Sequence, residues 1–306
     1  MAVPLTSTGF GDLLDPRFQR IFNLEYDGFP DAVPMLFNIE KTNSRNNMTF
    51  SSMGNFGDVP QFTGSVVYDS ISQGYDTTIT PLEFASGTQV ERKLMDDDQF
   101  NQIDRLPAGL ADALQRTRQK HAFRILNNAF SVDTFFYNNS EGVALCSDSH
   151  TTTASGVSTA SGFDNMVTSS LTATAVTAAK ILGRNFADDR GNRIDMNFDE
   201  IWCPIDVEDR AQEIIKSTGK VDTANNNINV HKGLYTMYSS VYLTDTNNWF
   251  MCDSRRRKRS LSWTDRIAKE FARIEDFDTI IAKWRLYARY GSGHTDWRFL
   301  VGASVS

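Results

Sequence analysis

The sequence contains no apolar run approaching the roughly 20 residues that span a bilayer. Its opening stretch, MAVPLTSTGFGDLLD, lacks the basic-then-apolar order of a secretory signal. The chain is therefore expected to be made and used in a cytoplasm, without a membrane partner. Cysteine is scarce: Cys146, Cys203 and Cys252 are an odd number, widely spaced and free of any C-x-x-C pair. That spacing argues against a disulfide framework or a zinc site and predicts reduced, partly buried thiols. The 4 histidines show no ligand spacing. His121 falls on a predicted helix as a packing or polar-face residue, and His231 and His294 fall in apparent loops. Neither G-x-x-x-x-G-K-[ST] nor a G-x-G-x-x-G after a strand occurs, so nucleotide-dependent chemistry has no visible support. No metal and no cofactor are expected. Positive charge is also short, the net being -7, which argues against a general polyanion binder but leaves room for one basic face.

What is present is ordinary globular material. The 306 residues are 40% hydrophobic and 23% charged, enough for one large domain or two smaller ones. Residues 1–45 mix acids with Pro4, Pro16, Pro30 and Pro34. A short helix is predicted at 15–24, with Pro16 in its first turn and Phe18, Ile21 and Phe22 on one face. Residues 46–90 are rich in Ser, Thr, Gly and Asn. Val66/Tyr68 and Val67/Ile71 suggest one strand, and Tyr75, Thr77 and Ile79 alternate on a second. Such a hairpin has little core of its own, and isolated ribbons are marginal in water. It needs a partner surface.

A strand over 89–95 leads to Asp96-Asp97-Asp98 and then to the clearest helix, 108–130, entered through Pro107. Leu106, Leu110, Leu114, Phe123, Leu126 and Phe130 form its apolar face, and Asp112, Arg116, Lys120 and Arg124 a polar stripe. A Ser/Thr/Gly loop follows at 151–162. Then come a helix over 168–186, a buried strand over 198–203, a helix over 206–216, a surface loop over 222–229, and strands over 234–243 and 249–252. The chain closes with a strand at 280–290, a Gly-Ser-Gly turn and a returning strand at 297–301. No internal repeat is visible. The class is α+β.

That order, arm, ribbon, long helix, compact module and closing strands, resembles the Hong Kong 97-type phage capsid fold. Local stretches carry the likeness. VERKLMDDDQF at 90–100 resembles the strand and turn before the family's spine helix, and GSVVYDSISQGYDTTITPLEF at 64–84 its extended-loop strand. EGVALCSDSHT at 141–151 is similar to an element of Mu-like prophage head proteins, and WRLYARYGSGHTDWRFLVGAS at 284–304 to their closing strands. The resemblance covers about residue 46 to the end and rests on shared order more than on any one motif. It implies an N-terminal arm (1–45), an extended loop (46–81), a peripheral domain (82–139 and 260–290) with a spine helix, and an axial domain (140–259 and 291–306). It further implies a major capsid protein of a tailed phage, without catalysis, that forms pentamers and hexamers around double-stranded DNA and resides in the virion. Phe18, Phe22, Phe56, Phe62, Val66 and Tyr68 would contact neighbouring subunits. Arg116, Lys120 and Arg124 would face the lumen. Portal and decoration proteins would be partners, and a separate scaffolding protein too, since the arm begins within about ten residues of Met1. Some family members join subunits by a bond from a loop lysine to an asparagine. Here no lysine lies between Lys41 and Lys93, and Ile274-Glu275-Asp276-Phe277-Asp278 holds no Asn.

Other readings compete. A nanocompartment shell of the same fold would hold protein cargo. Cys146, Asp148 and His150 alternate on one extended face and suggest a hydrolase, although no oxyanion loop accompanies them. Residues 255–259, Arg-Arg-Arg-Lys-Arg, are either a solvated loop, or one pairing with acidic residues of a neighbour such as those in the arm, or else a patch on the shell's inner face or a genome contact. Asp96-Asp97-Asp98 lacks the spaced ligands of a calcium loop and reads as a strand end near a helix start.

Overall fold

The computed structural model describes residues 11–41, 45–91, 93–94, 103, 105–220, 227–276 and 281–305. Helices α1 (Gly11–Gly28) and α2 (Val33–Leu36) precede strands β1 (Asn38–Lys41), β2 (Met48–Met53), β3 (Gln73–Ile79) and β4 (Leu82–Glu91). The long helix α3 is Arg105–Asn127, with β5 (Tyr137–Asn139), β6 (Met166–Val167) and α4 (Ala173–Arg184) after it. Next are β7 (Glu200–Pro204), α5 (Glu208–Lys216), β8 (Thr236–Ser240), β9 (Trp249–Cys252) and α6 (Ser254–Ser260). The chain ends in β10 (Leu261–Asp276), β11 (Ile281–His294) and β12 (Leu300–Ala303). They build sheets of order β1-β10-β11-β4, β6-β12-β9-β7-β8 and β2-β3-β5.

Helix α3 begins where Pro107 sets the backbone and runs roughly 35 Å at about 1.5 Å per residue. It is buried on more than one side: Ala111, Leu114, Ala122, Phe123 and Leu126 share a core with Trp202 and Phe250 of one sheet and Trp263 and Tyr290 of another. Arg118 is buried with them. Its guanidinium grips Asp265 through two bonds of 2.8 and 3.1 Å and lies over the rings of Trp263 and Tyr290. The helix is thus a beam to which both larger sheets are fastened.

Four sequence expectations change. The hairpin pairs β3 with β2, Met48 facing Ile79 and Phe50 facing Thr77, so Val66–Tyr68 is no strand. The Gly-Ser-Gly of 291–293 is not a turn but the last part of β11. Glycine is required there because the small sheet crosses closely: a Cβ at Gly293 would lie 2.9 Å from Ile79 and Tyr137, and one at Gly291 3.1 Å from the Thr80 carbonyl. Consequently β12 does not return along β11; it pairs with β9 and β6 in the five-stranded sheet. β11 runs unbroken from Ile281 to His294. Residues 261–276, unassigned from sequence, form the longest strand, with irregular register between Asp265 and Glu270. Residues 255–259 belong to a helix, not a loop. Asp96-Asp97-Asp98 lies outside the described residues.

Candidate inter-subunit surface

The arm is not a free extension. Strand β1 joins β10 in parallel, Ile39 facing Trp263. Phe18 packs on Trp284 at 5.0 Å between ring centres, and Phe22 stacks on Phe271 at 4.9 Å. Both phenylalanines are only 1% exposed within their own subunit. The expectation that they contact a neighbour is therefore corrected: the apolar face of α1 finds its partner on the same chain. The short predicted helix is longer than thought and lies against α3, with the Gln115 amide donating to the Tyr26 carbonyl at 2.9 Å.

The loop between β2 and β3 behaves in the opposite way. Residues 54–72 take no regular structure, and their apolar side chains face solvent: Phe56 (66% exposed), Val59 (95%), Phe62 (70%), Val66 (63%) and Tyr68 (92%). Met53 (74% exposed) and Val59 belong to this set and were missed, because a lone valine or methionine in a polar stretch carries no periodic signal; Val67 (68%), read only as half of a strand pair, belongs to it too. The stem is nevertheless well fixed. Gly54 N–H donates to the Ser72 carbonyl at 2.9 Å, and Asn55 N–H to Asp189 at 2.9 Å. Arg190 pairs with Asp69 at 3.0 Å. The Gly57 amide and then Arg190 hold the Asp69 carboxyl below its ordinary range. Several exposed apolar side chains gathered in one loop on a hydrogen-bonded stem make that loop the candidate interaction site.

The remaining candidates separate cleanly. On α3, Arg116 and Lys120 are exposed. Arg124 is not available with them, since it pairs with Asp133 at 2.8 Å and covers the Phe135 ring. Within the basic helix α6, Arg257 is 2% exposed. It is bonded to Glu200 at 2.7 and 2.9 Å, and it donates to the carbonyls of Met35 and Leu36 in the arm. Helical periodicity turns this one cation inward while Arg255, Lys258 and Arg259 stay exposed. So the run neither forms a solvated loop nor pairs with a neighbour's arm at Arg257; its partner is its own Glu200.

Cys146, Asp148 and His150 form no catalytic constellation. The Cys146 thiol is buried against Gly302, and that burial drives its pKa far up, so no thiolate is on offer. His150 stacks on Trp297 at 4.1 Å and turns Nδ1 to Glu141 at 3.1 Å, while Asp148 is exposed. The other histidines are structural too. His121 meets the Tyr290 hydroxyl at 2.9 Å, and His231 and His294 are buried, not in free loops. Among the described residues no group of three or more His, Cys, Asp or Glu could hold a metal, and no helix is long and apolar enough to cross a membrane.

A beam helix gripped by two sheets, with a stemmed apolar loop thrown outward, defines a shell-building subunit of the Hong Kong 97-type α+β fold. The fold is similar to that of the bacteriophage PhiM1 mature capsid, at TM-score 0.60 and 9% identity, covering 91% of this chain and 88% of that one. The bacteriophage JBD30 procapsid gives 0.53 and 15%, covering 98% and 76%. A virus-like particle from Pyrococcus furiosus gives 0.52 and 7%, covering 94% and 98%. No curated protein matches the sequence significantly. The phage capsid protein family matches residues 74–303, and the chain belongs to it. It is a major capsid protein, a unit of an icosahedral shell.

Proposed function

We propose that the chain closes into pentamers and hexamers that tile a shell around double-stranded DNA, with residues 54–72 lying across an adjacent subunit. The observation that carries this is the loop's exposed row of Phe56, Val59, Phe62, Val66 and Tyr68, held on a fixed stem with no core of its own. Each such side chain, once buried, contributes on the order of 1.5–3 kcal/mol before ordering costs. Multiplied over many copies, this makes a durable shell from modest contacts. Heterologous contacts of this kind let one surface recur around a ring.

In this reading residues 46–81 are the extended loop, 82–139 with 260–290 the peripheral domain, and 140–259 with 291–306 the axial domain. The four-stranded and five-stranded sheets, either side of α3, support that division. Arg116 and Lys120 are exposed α3 cations that can screen phosphates weakly and without sequence preference. Portal, scaffolding and decoration proteins are the further partners such a shell would meet, and the host cytoplasm the place of assembly. Replacing residues 55–72 by a short turn should leave a folded body that sediments as a monomer where the intact chain yields particles. Normal particles from that variant would refute the loop's role.

The loop also lacks any lysine. Mature shells should therefore dissociate to a single monomer band on denaturing gels. A ladder of covalent multimers would show that some other residue supplies the link.

A further inference from the structure

We infer that the β7–α5–β8 unit joins one copy to the next head to tail, the acidic end of one subunit seating on the basic end of its neighbour. This rests on the reading of the chain as a ring-forming shell subunit. Strands β7 and β8 are parallel, with Glu200 beside Thr236 at one end and Pro204 beside Ser240 at the other, and β8 is a free edge of its sheet. Just past the carboxyl ends, Ile205 (53% exposed) and Val241 (67%) stand bare. Around them are Asp206, Glu208 and Asp209, in a short 3-10 turn and the first turn of α5. The cation among them, Arg210, is tied to Glu213 at 3.2 Å.

Helix α5 runs back, so its last turn and the segment entering β8 gather at the opposite end. There Ile228 (83% exposed), Val230 (68%) and Leu234 stand among Lys216, Lys220 and Lys232, all exposed. Helix α4 adds Lys180, Arg184 and the exposed Ile181. It is held to this end by His231, whose Nε2 lies 3.1 Å from both Thr177 Oγ1 and the Ala173 carbonyl. Burial depresses the His231 pKa against the opposing hydrogen bond to the Ala173 carbonyl, and Lys180 and Lys220 push the same way as burial. Among the described residues of 165–187 and 214–244 there is no carboxylate; Asp222 lies outside them.

In a chain of net charge -7, this segregation creates two complementary patches, each with bare branched aliphatics at its centre. They cap opposite ends of the same strands, so one molecule cannot cover one with the other. A second copy can, and a contact between unlike ends propagates around a ring. A nucleic acid would use the cations but leave the exposed aliphatics and the acidic end without a purpose. A second copy of this chain accounts for all of them.

The test is charge reversal in the intact chain, with assembly followed by light scattering and microscopy. K220E/K232E and D206K/D209K should each raise the concentration needed for assembly by about 100-fold or more, because like charges then face each other. The four-fold swapped chain should recover to within about tenfold of the parent. Mixing the two reversed chains in equal amounts should restore even-numbered rings only, since unlike copies must alternate; pentamers should stay absent. Parent-like assembly of either reversed chain overturns the proposal while leaving the shell reading intact. So does failure of both the swap and the mixture when circular dichroism shows every variant folded, which would assign the basic end to another partner such as nucleic acid. An unmodified chain that never assembles removes the shell reading itself.

Discussion

Arg257→Ala is expected to destabilise the subunit by about 3–5 kcal/mol, the range seen when one member of a buried ion pair is removed. That is a large share of a total stability of roughly 5–15 kcal/mol. The reason lies in what is left behind. Glu200 is 4% exposed, and its remaining recorded partner would be the Trp202 indole N–H at 3.0 Å. The carbonyls of Met35 and Leu36 would lose their donor as well. One guanidinium thus ties the arm, β7 and α6 together. Lysine at this position keeps the charge but not the two parallel bonds, and should fall between the parent and the alanine variant. Replacing both partners by apolar residues should recover much of the loss, because no lone buried charge remains. Thermal unfolding of the purified subunits measures the series. An alanine variant within 1 kcal/mol of the parent would contradict it.

Acid should weaken the subunit well before its exposed carboxylates titrate. His294 is fully enclosed, and burial, assisted by the nearby His150, lowers its pKa from 6.5 to about 4; Asp296 and Glu141 oppose this without reversing it. His121 is likewise lowered to about 4 by burial and by Arg124. The unfolded chain therefore takes up protons that the folded chain refuses. Stability from these groups is complete above about pH 6.5, declines as the pH falls, and is spent near pH 4. His294 alone accounts for roughly 3 kcal/mol over that interval, His121 for somewhat less because it is less enclosed. Glu141 and Asp133, whose pKa values are held low by His150 and Arg124 against the opposing effect of burial, add a further loss at the acid end. Urea unfolding of disassembled subunits at pH 7.5 and 4.5 should show the decline, and His294→Gln should flatten it. An equal pH dependence in parent and variant would rule out this assignment.

The parts of the fold that were legible in the sequence are those where local chemistry and tertiary role agree. Helix α3 announced itself because Pro107 marks its start and its apolar residues repeat at helical spacing. Strand β9, Trp249–Cys252, is buried throughout and reads as a plain apolar run. The failures have physical causes as well. Strand β10 alternates Trp263, Asp265 and Ile267 against Ser262, Thr264 and Arg266, but its register shifts near Ile267 break the two-residue period. Val66 to Ile71 have the composition of a strand, yet among the described residues they pair with no strand of their own chain. Gly291 and Gly293 look like a turn because the sheet that crosses them is brought from far away in the sequence. Of the candidate contact residues, exposed Phe56, Phe62, Val66 and Tyr68 were identifiable as aromatics and aliphatics in a segment too polar to bury itself. Phe18 and Phe22 share one face of a predicted helix in a segment rich in acids and proline, and only the position of Phe271 and Trp284 shows that they stay at home.

The closed stem of residues 54–72 has an engineering consequence. Because Gly54 and Ser72 already meet at 2.9 Å, the intervening peptide can be treated as a cassette, provided Asn55, Gly57 and Asp69, which anchor it to Asp189 and Arg190, are kept. Foreign segments of similar length could be spliced between them with a small entropic penalty, since loop-closure cost grows only slowly with length. A body that no longer assembles could then serve as a soluble carrier presenting the inserted epitope in constrained form.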